Sequence, residues 1–445
     1  MSFSGTKVQI SLQNTKRFGD FLYLCRQESP FTSMQQSQKD TIQPPLSLRT
    51  AIIGGGAAGF FLAINLKELY PKMEVTIFER GKRVLAKVEV SGGGRCNCTN
   101  SFAEVKDLST VYPRGHRLMK RLMKGFSQHD AYEWFERHGV RLVTQDDQCV
   151  FPLSQDSHTI INSFLYEVRR HGIEIKTDSK VESLDTLSDY DFIAVTTGGS
   201  PKAEGLRWLT DKGHEIEQPV PSLFTFQIKD EALLALMGTV VEGATAMIPG
   251  TKLRAEGPLL ITHWGMSGPA ILKLSSYAAR HLAECLYQAP LTVNWTGSRD
   301  IEVMEELNDI IVHYPQKQLQ TIAPGRLPSR LWTYLLQKCL GQRSNTRWGT
   351  LNQKERQRLA NMLSGGDLYQ IAGRAPFKDE FVTCGGISLS SINPSTLESR
   401  YVPHLYFAGE VLDIDGITGG FNFQAAWTTA YTVAQAIAKE AANSL

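Results

Sequence analysis

The run Thr50-Ala-Ile-Ile-Gly54-Gly55-Gly56-Ala57-Ala58-Gly59, with Glu79 twenty residues beyond its last glycine, decides the fold. The apolar segment from Thr50 to Ile53 reads as a strand, and Phe60 to Tyr70 as the helix that it feeds. Gly54, Gly56 and Gly59 fall at the G-x-G-x-x-G spacing. In such a turn the first glycine makes the tight bend and the second lets the backbone approach a pyrophosphate. The third lets the helix pack closely on the strand. The start of the helix then presents unpaired N–H groups and a positive dipole end to the phosphates. Val75 to Glu79 reads as the second strand, with the Glu79 carboxylate at its end, where it accepts from ribose hydroxyls. A Gly-rich turn alone is a common feature. Strand, turn, helix, strand and terminal acid together read as a dinucleotide site.

The chain of 445 residues is long enough for two or three domains. It is 42% hydrophobic and 21% charged, ordinary values for a globular protein with a sizeable core. A formal net charge of +2 gives no general argument for nucleic acid or membrane as partner. Nucleic acid is therefore not expected, a small-molecule substrate is, and the oligomeric state stays open. Seven scattered cysteines, an odd number, point to a reducing compartment, the cytoplasm, rather than a disulfide scaffold. Cys96 and Cys98 are too close-set for a structural zinc pair, and no metal site is expected. No apolar run approaches the ~20 residues of a membrane span. Residues 1–50 are rich in Ser, Gln, Thr and Lys and lack periodicity, so they read as a disordered or mis-started leader.

Beyond Glu79 and Arg80, the segment Lys87 to Asn100 carries Ser91-Gly92-Gly93-Gly94-Arg95-Cys96-Asn97. Three consecutive glycines among short polar residues read as a loop whose free N–H groups wrap an anionic or heteroaromatic group. His116 to His138 reads as an amphipathic helical stretch, Cys149 to Pro152 as a strand, and Ser154 to His171 as a helix. Short strands follow at Ile173 to Lys176 and at Lys180-Val181. Asp191 to Gly199 is a buried strand ending in Thr197-Gly198-Gly199, at the carboxyl edge where ligands of open α/β sheets lie. From about Pro219, short β-rich segments suggest an inserted sheet or small barrel. Trp264 to Ala270 then turns into a helix with Pro269 in its first turn. Residues 300–364 read as helical, and their alternating charges read as a solvated face rather than an RNA-binding one. Tyr369 to Phe377 and Phe381 to Gly386 read as strands returning to the first domain.

Leu405 to Ala408 is a short buried strand ending at Gly409-Glu410. An acidic loop with Asp413 follows, then Thr418-Gly419-Gly420-Phe421-Asn422 opening a helix that Thr418 is expected to cap. The positive end of that helix suits negative charge at the N1/O2 edge of a flavin. An amino-terminal fingerprint paired with this distant element calls for an extended cofactor such as FAD.

The fingerprint, the Lys87 to Asn100 loop, Thr262 to Pro269 and the Phe407 to Asn422 segment resemble the BaiN/YhiN-like FAD-dependent oxidoreductases, over residues 51–445. The resemblance implies an α/β fold: a Rossmann-like FAD-binding domain of the glutathione-reductase type, split by an inserted β-barrel-like domain with a helical subdomain. The expected division is 51–217 with 386–445 for the flavin domain, 218–300 with 364–385 for the β insert, and 301–363 for the helices. It also implies site residues. Gly54, Gly56, Ala57, Ala58 and Gly59 would hold the pyrophosphate, Glu79 and Arg80 the ribose end, and Val181 the adenine. Lys87, Ser91, Gly92, Gly93, Arg95, Cys96 and Asn97 would lie along pyrophosphate and flavin. Glu410 and Asp413 would sit by ribityl and pyrophosphate, and Gly420, Phe421 and Asn422 near the isoalloxazine; Thr197, Gly198 and Gly409 are further cofactor-binding candidates. Cys98 stands where the family usually carries a bulky apolar side chain.

The expected function is hydride transfer between bound FAD and a small molecule, with NAD(P)H as a visiting reductant. The alternative is a binding protein with structural FAD whose inserts hold a partner such as RNA. A flavin-free NAD-dependent dehydrogenase is a third option. No cysteine pair of the C-x₄-C kind supports a dithiol relay, and no second fingerprint supports a separate nicotinamide domain. No catalytic acid or base is assigned; Arg95 and His263 are candidates only.

Overall fold

The computed structural model describes residues 47–375 and 382–444. The leader reading concerns residues 1–46 almost entirely, and these lie outside the described residues, as do 376–381 and 445. At the centre is a parallel five-stranded sheet, in the order Leu405–Phe407, Phe192–Val195, Arg49–Ile53, Glu74–Phe78, Glu174–Lys176. Its middle strand, Arg49–Ile53, pairs Ile52 with Ile77 on one side and with Ala194 on the other. Strands buried on both faces require continuous apolar runs, which is what Ala51 to Ile53 and Phe192 to Val195 supply. The carboxyl ends of three adjacent strands therefore deliver Gly54, Glu79 and Thr196 to one edge.

The fingerprint helix, Ala57–Leu69, is buried from Ala58 to Leu66 with no polar face over that span. A helix apolar all round must be covered on all sides. Here the cover is the sheet and the long carboxyl-terminal helix, Phe421–Asn443. Phe61 lies at ring-centroid distances of 4.5 Å from Trp134 and 5.1 Å from Trp427. An antiparallel three-stranded sheet of Thr99–Asn100, Cys149–Pro152 and Leu142–Thr144 flanks this layer.

The insert is a closed barrel of six antiparallel strands, which leaves no exposed sheet edge. Its hydrophobic interior runs from Phe224 to Ile371 and continues into the helices between Asp300 and Leu363, around Trp295, Trp332 and Trp348. A separate two-stranded ribbon, Ile216–Ser222 against Val382–Ile387, carries the chain in and out. Two prolines in the first of these strands suit a ribbon, where the lost N–H need not face a partner. The expected return of Tyr369 to Phe377 to the first domain is corrected. Ser364–Arg374 instead closes the barrel, pairing with Ala289–Asn294 and Phe226–Ile228.

Two local expectations also change, and a third is refined. His116 to His138 is two helices, His116–Leu122 and Gln128–Arg137. The second starts with a reciprocal capping box between Ser127 and Asp130, a signal present in the sequence as S-x-x-D. Lys180-Val181 is not a strand; the chain there follows a turn at Asp178 (φ 50°), with Ser179 N–H donating to the Glu79 carbonyl at 2.8 Å. Thr418 does not cap the last helix, because Gly419 and Gly420 turn the chain first, and Gly420 (φ 89°) is the cap residue.

One buried ion pair ties the layers together. Arg114 holds the fully buried Asp415 carboxylate through two guanidinium nitrogens, donates to the Ser276 carbonyl at 2.7 Å, and Asp415 also accepts from Ser222 at 3.2 Å. Ser222 ends the ribbon and Ser276 lies on the helix beside the barrel. Burial pushes the Asp415 carboxyl up while Arg114 opposes that shift. Asp415→Asn leaves Arg114 buried without its counter-charge, so the expected loss is about 3–5 kcal/mol. Denaturant unfolding of Asp415→Asn beside Ser222→Ala measures it; equal midpoints for both variants would contradict the role given to the charge.

Candidate functional site

The fingerprint turn is held by steric necessity. Gly54 has φ +119°, and a Cβ there would lie 2.4 Å from the Thr196 carbonyl oxygen; one at Gly59 would lie 2.1 Å from the Gly54 carbonyl. Neither position accepts a side chain. Gly56 differs: nothing lies within 4 Å of where its Cβ would be, so its missing side chain leaves open space above the helix start. That helix has no side-chain cap at Gly56. Its first N–H groups therefore remain available to an anion. Thr196, which sequence reasoning passed over, donates its hydroxyl to the Gly54 carbonyl at 2.9 Å and locks the turn. Its position, just before Thr197-Gly198 at a strand end, was the available signal.

Glu79 accepts from Gly55 N–H at 2.9 Å and from Gly81 N–H at 2.7 Å. Both oxygens are anchored, and each keeps a lone pair for another donor. The carboxylate opens onto a cavity of about 500 Å³ that also gathers Gly54, Arg80, Val181, Thr197 and Gly198. Trp208, not anticipated from sequence, adds an aromatic side chain to its wall.

The far part of the chain reaches the same place. A Cβ on Gly409 would meet the Ala58 Cβ at 2.9 Å, so the strand end at 407–409 rests directly on the fingerprint helix. Lys87 Nζ and Glu410 Oε2 are 3.0 Å apart, and Glu410 also accepts from Thr383 N–H at 2.8 Å. The lysine side chain is 59% exposed. Such a pair contributes about 0–1 kcal/mol, too little to explain the arrangement as a stabilising device. The glycine loop closes onto the last helix as well. Gly92, Gly93 and Gly94 take successive positive φ of 57°, 68° and 82°, a left-handed turn that glycine adopts without strain. Asn97, with its amide turned to satisfy its neighbours, accepts from Gly420 N–H at 3.2 Å. Asn100 donates to the Gly419 carbonyl at 3.0 Å, and Trp427 Nε1 donates to the Cys98 carbonyl at 2.7 Å.

A model of the HI0933-like protein Rossmann domain matches residues 48–436. The chain belongs to that family. Membership agrees with the class of FAD-dependent oxidoreductases that the motifs resemble. The chain is 27% identical to a 3-dehydro-bile acid delta(4,6)-reductase of Clostridium scindens, over 88% of this chain and 99% of that protein. It is 28% identical to a ribosomal RNA dihydrouridine synthase of Escherichia coli, over 86% of this chain and 96% of that one. A protein of the same name in Haemophilus influenzae is also 28% identical, over 87% and 98%.

Other site residues of the sequence reading do not turn toward the groove. Cys96 contributes only backbone: its side chain is fully buried, and burial pushes the thiol up to about 12 against a hydrogen bond with Ser91. Cys98 is likewise buried, its thiol donating to the Val150 carbonyl at 3.3 Å. Both thiols are shut off from solvent. Arg95 stacks over Phe151 at 4.2 Å and bonds to the Gly92 carbonyl, so it braces the loop. The Phe421 ring packs edge-on to Phe102 and Tyr112 in the core. Asn422 binds Gly416 through both amide atoms and shapes the preceding loop. Asp413 is gripped by Arg280 at 3.0 and 3.1 Å. His263 is exposed on a barrel hairpin with its ring against Trp264. Ser91 turns its hydroxyl back to the Val88 carbonyl. Glu398, His404 and Glu440 come within metal-ligand reach of one another, a grouping the sequence spacing does not reveal, and His404 bonds to Glu440 at 2.9 Å. Among the described residues no helix is long and apolar enough to cross a membrane.

Two glycine substitutions separate fold from site. Gly56→Val fills open space, so the protein keeps its stability while the path to the helix start is blocked. Gly54→Ala collides with Thr196 and lowers the melting temperature itself. Thermal unfolding and bound-nucleotide content of the two purified variants check this; a Gly56→Val protein that retains full flavin would show that the phosphates lie elsewhere.

Proposed function

We propose that this protein is an FAD-dependent reductase acting on a carbon–carbon double bond conjugated to a carbonyl group. The observation that carries the FAD reading is the convergence of two distant chain segments on one groove, through Ala58 with Gly409, Lys87 with Glu410, and Asn97 with Gly420. A mononucleotide would need only the first segment.

The residues fit the cofactor along its length. The cavity of about 500 Å³ takes the adenosine, with Glu79 accepting from the ribose hydroxyls and Val181 beside the adenine. The open space over Gly56 and the uncapped start of the fingerprint helix take the pyrophosphate, with Ala57, Ala58 and Gly59 behind it. Lys87 supplies positive charge, and Glu410 orients Lys87. The glycine turn and Asn97 line the flavin end. There the helix starting at Gly420, also without a side-chain cap, offers N–H donors and a positive dipole end to developing negative charge. FAD, when bound, supplies the hydride chemistry; the protein supplies position and electrostatics. The barrel insert is the wall that shapes substrate access.

The substrate class follows from what the relatives' names have in common. A 3-oxo-4,6-diene and the C5–C6 bond of uridine are both alkenes polarised by a conjugated carbonyl. Such a bond accepts hydride at the carbon remote from the carbonyl, and the adjacent carbon then takes a proton. NAD(P)H visiting the groove is the proposed donor.

The test is anaerobic. Protein reduced by NADPH or NADH is mixed with a 3-oxo-4-ene steroid, a 3-oxo-4,6-diene steroid, or uridine-containing RNA, and return of the oxidised flavin absorbance is followed. Reoxidation by a conjugated substrate, and none by its saturated analogue, is the expected result. Return of colour with oxygen alone would remove the reductase reading. Glu79→Gln is expected to weaken FAD retention about tenfold, the loss of one charge-assisted hydrogen bond to a ribose hydroxyl. Because Glu79 also secures Gly55 and Gly81, the melting temperature of the flavin-free protein is measured alongside.

A further inference from the structure

A second cavity, of about 380 Å³, opens at the junction of the flavin domain and the barrel. Four cationic side chains line it, and they are not equivalent. Arg114 is neutralised by Asp415, and Arg280 by Asp413 at 3.0 Å with Glu217 at 3.6 Å. Lys252 and Arg254 are exposed, and among the described residues neither side chain has an acidic partner within 4.0 Å. The turn that carries them is closed by its own bonds. Thr251 donates its hydroxyl to the Ile248 carbonyl at 2.7 Å and accepts from Leu253 N–H at 3.0 Å. Leu253, between the two cations, packs against the barrel interior. Tyr277, a further wall residue, is half-buried, and its hydroxyl donates to the Thr110 carbonyl at 2.8 Å, which fixes the ring. The cavity thus presents two unmatched positive charges and one anchored aromatic ring. Its two neutralised arginines hold Asp413 and Asp415, on the loop that joins Glu410 to Gly420. Both ends of that loop border the flavin groove.

We propose that this cavity docks the adenosine 2′-phosphate half of NADPH, with Lys252 and Arg254 on the 2′-phosphate and Tyr277 beside the adenine. The count of charges selects the group. A phosphate monoester carries about −1.5 to −2 charge at pH 7, which two unmatched cations balance. A carboxylate or one phosphodiester carries a single negative charge and leaves a cation over. The arginine fork and the lysine point charge are both good phosphate donors. Size agrees, because ligand sites span about 300–1,000 Å³ and this cavity lies at the low end, room for one half of a dinucleotide. The nicotinamide half then extends out of the cavity, along the loop toward the flavin groove. Side chains have to do this work, since the chain has one G-x-G-x-x-G turn and the flavin takes it. The inference rests on the proposed function in taking a nicotinamide dinucleotide as the donor, and adds where it docks and why NADPH is chosen over NADH.

The experiment is calorimetric titration of flavin-loaded protein, its own nucleotide site filled, with adenosine 2′,5′-bisphosphate and with 5′-AMP. The comparison is Lys252→Ala with Arg254→Ala against Lys72→Ala with Lys439→Ala, exposed residues that do not line the cavity. Both double variants change the net charge equally. Wild type and control are expected to bind the bisphosphate about tenfold or more tightly than 5′-AMP, and the junction variant to lose that difference. Anaerobic flavin reduction gives a second readout. The preference for NADPH over NADH, as a ratio of half-saturating concentrations, falls about tenfold in the junction variant and stays at the wild-type value in the control. Wild-type protein that does not distinguish the two probes overturns the proposal, and so does equal weakening in both double variants. Junction-dependent bisphosphate binding with NADPH-selective reduction, but no reoxidation by a conjugated alkene, leaves this inference standing while the reductase reading fails.

Discussion

The close approach of the last helix to the fingerprint helix is the constraint on which the architecture depends. Ala58 and Gly409 are small because the strand end at Gly409 lies against the helix, and Phe61 fills the space beside Trp427 and Trp134. A helix buried from Ala58 to Leu66 has no polar stripe to give to water, so it is unstable without that cover. The same packing sets the groove. Gly54, Gly56 and Lys87 on one side and Gly409, Glu410 and Gly420 on the other are positioned by side chains that lie behind them, in the core.

Charge has two roles in this structure. The Arg114–Asp415 pair is removed from water and tied to Ser222 and Ser276, so it fixes the barrel against the flavin domain at one spot. Lys87 and Glu410 are partly solvated, and their mutual attraction is weak. Groups that contribute little to stability are those a ligand can recruit without unfolding the protein.

What was legible in the sequence was what local geometry forces. Gly54 and Gly59 have no alternative to glycine, since a Cβ at either would collide with backbone, and such compulsion leaves a readable spacing. Ile52, Ile53, Ala194 and Val195 are buried on both faces and so form plain apolar runs. The barrel was visible as short β segments between glycine and proline turns. Less legible were features decided by distant partners. Thr196 acquires its role from the Gly54 carbonyl far upstream, and Arg280 draws Asp413 away from the part assigned to it. Phe421 is expected near the isoalloxazine from its place in the motif, but its ring lies against Phe102 and Tyr112. Thr418 had the right chemistry for a cap, but a Cβ at Gly420 would lie 2.2 Å from the Thr99 carbonyl, so the turn had to be made by glycine.

The ribbon of Ile216–Ser222 and Val382–Ile387 has a consequence for biosynthesis. The strand Leu405–Phe407 and the helix after it, which complete the host sheet and its cover, are translated only after the barrel and its helices. During synthesis the amino-terminal half waits with the apolar flank of its first helix unprotected, while the insert assembles around its own interior. Closure of the groove thus waits on synthesis of Leu405–Phe407 and Phe421–Asn443: a chain truncated before them retains the phosphate turn yet lacks the element that closes over it.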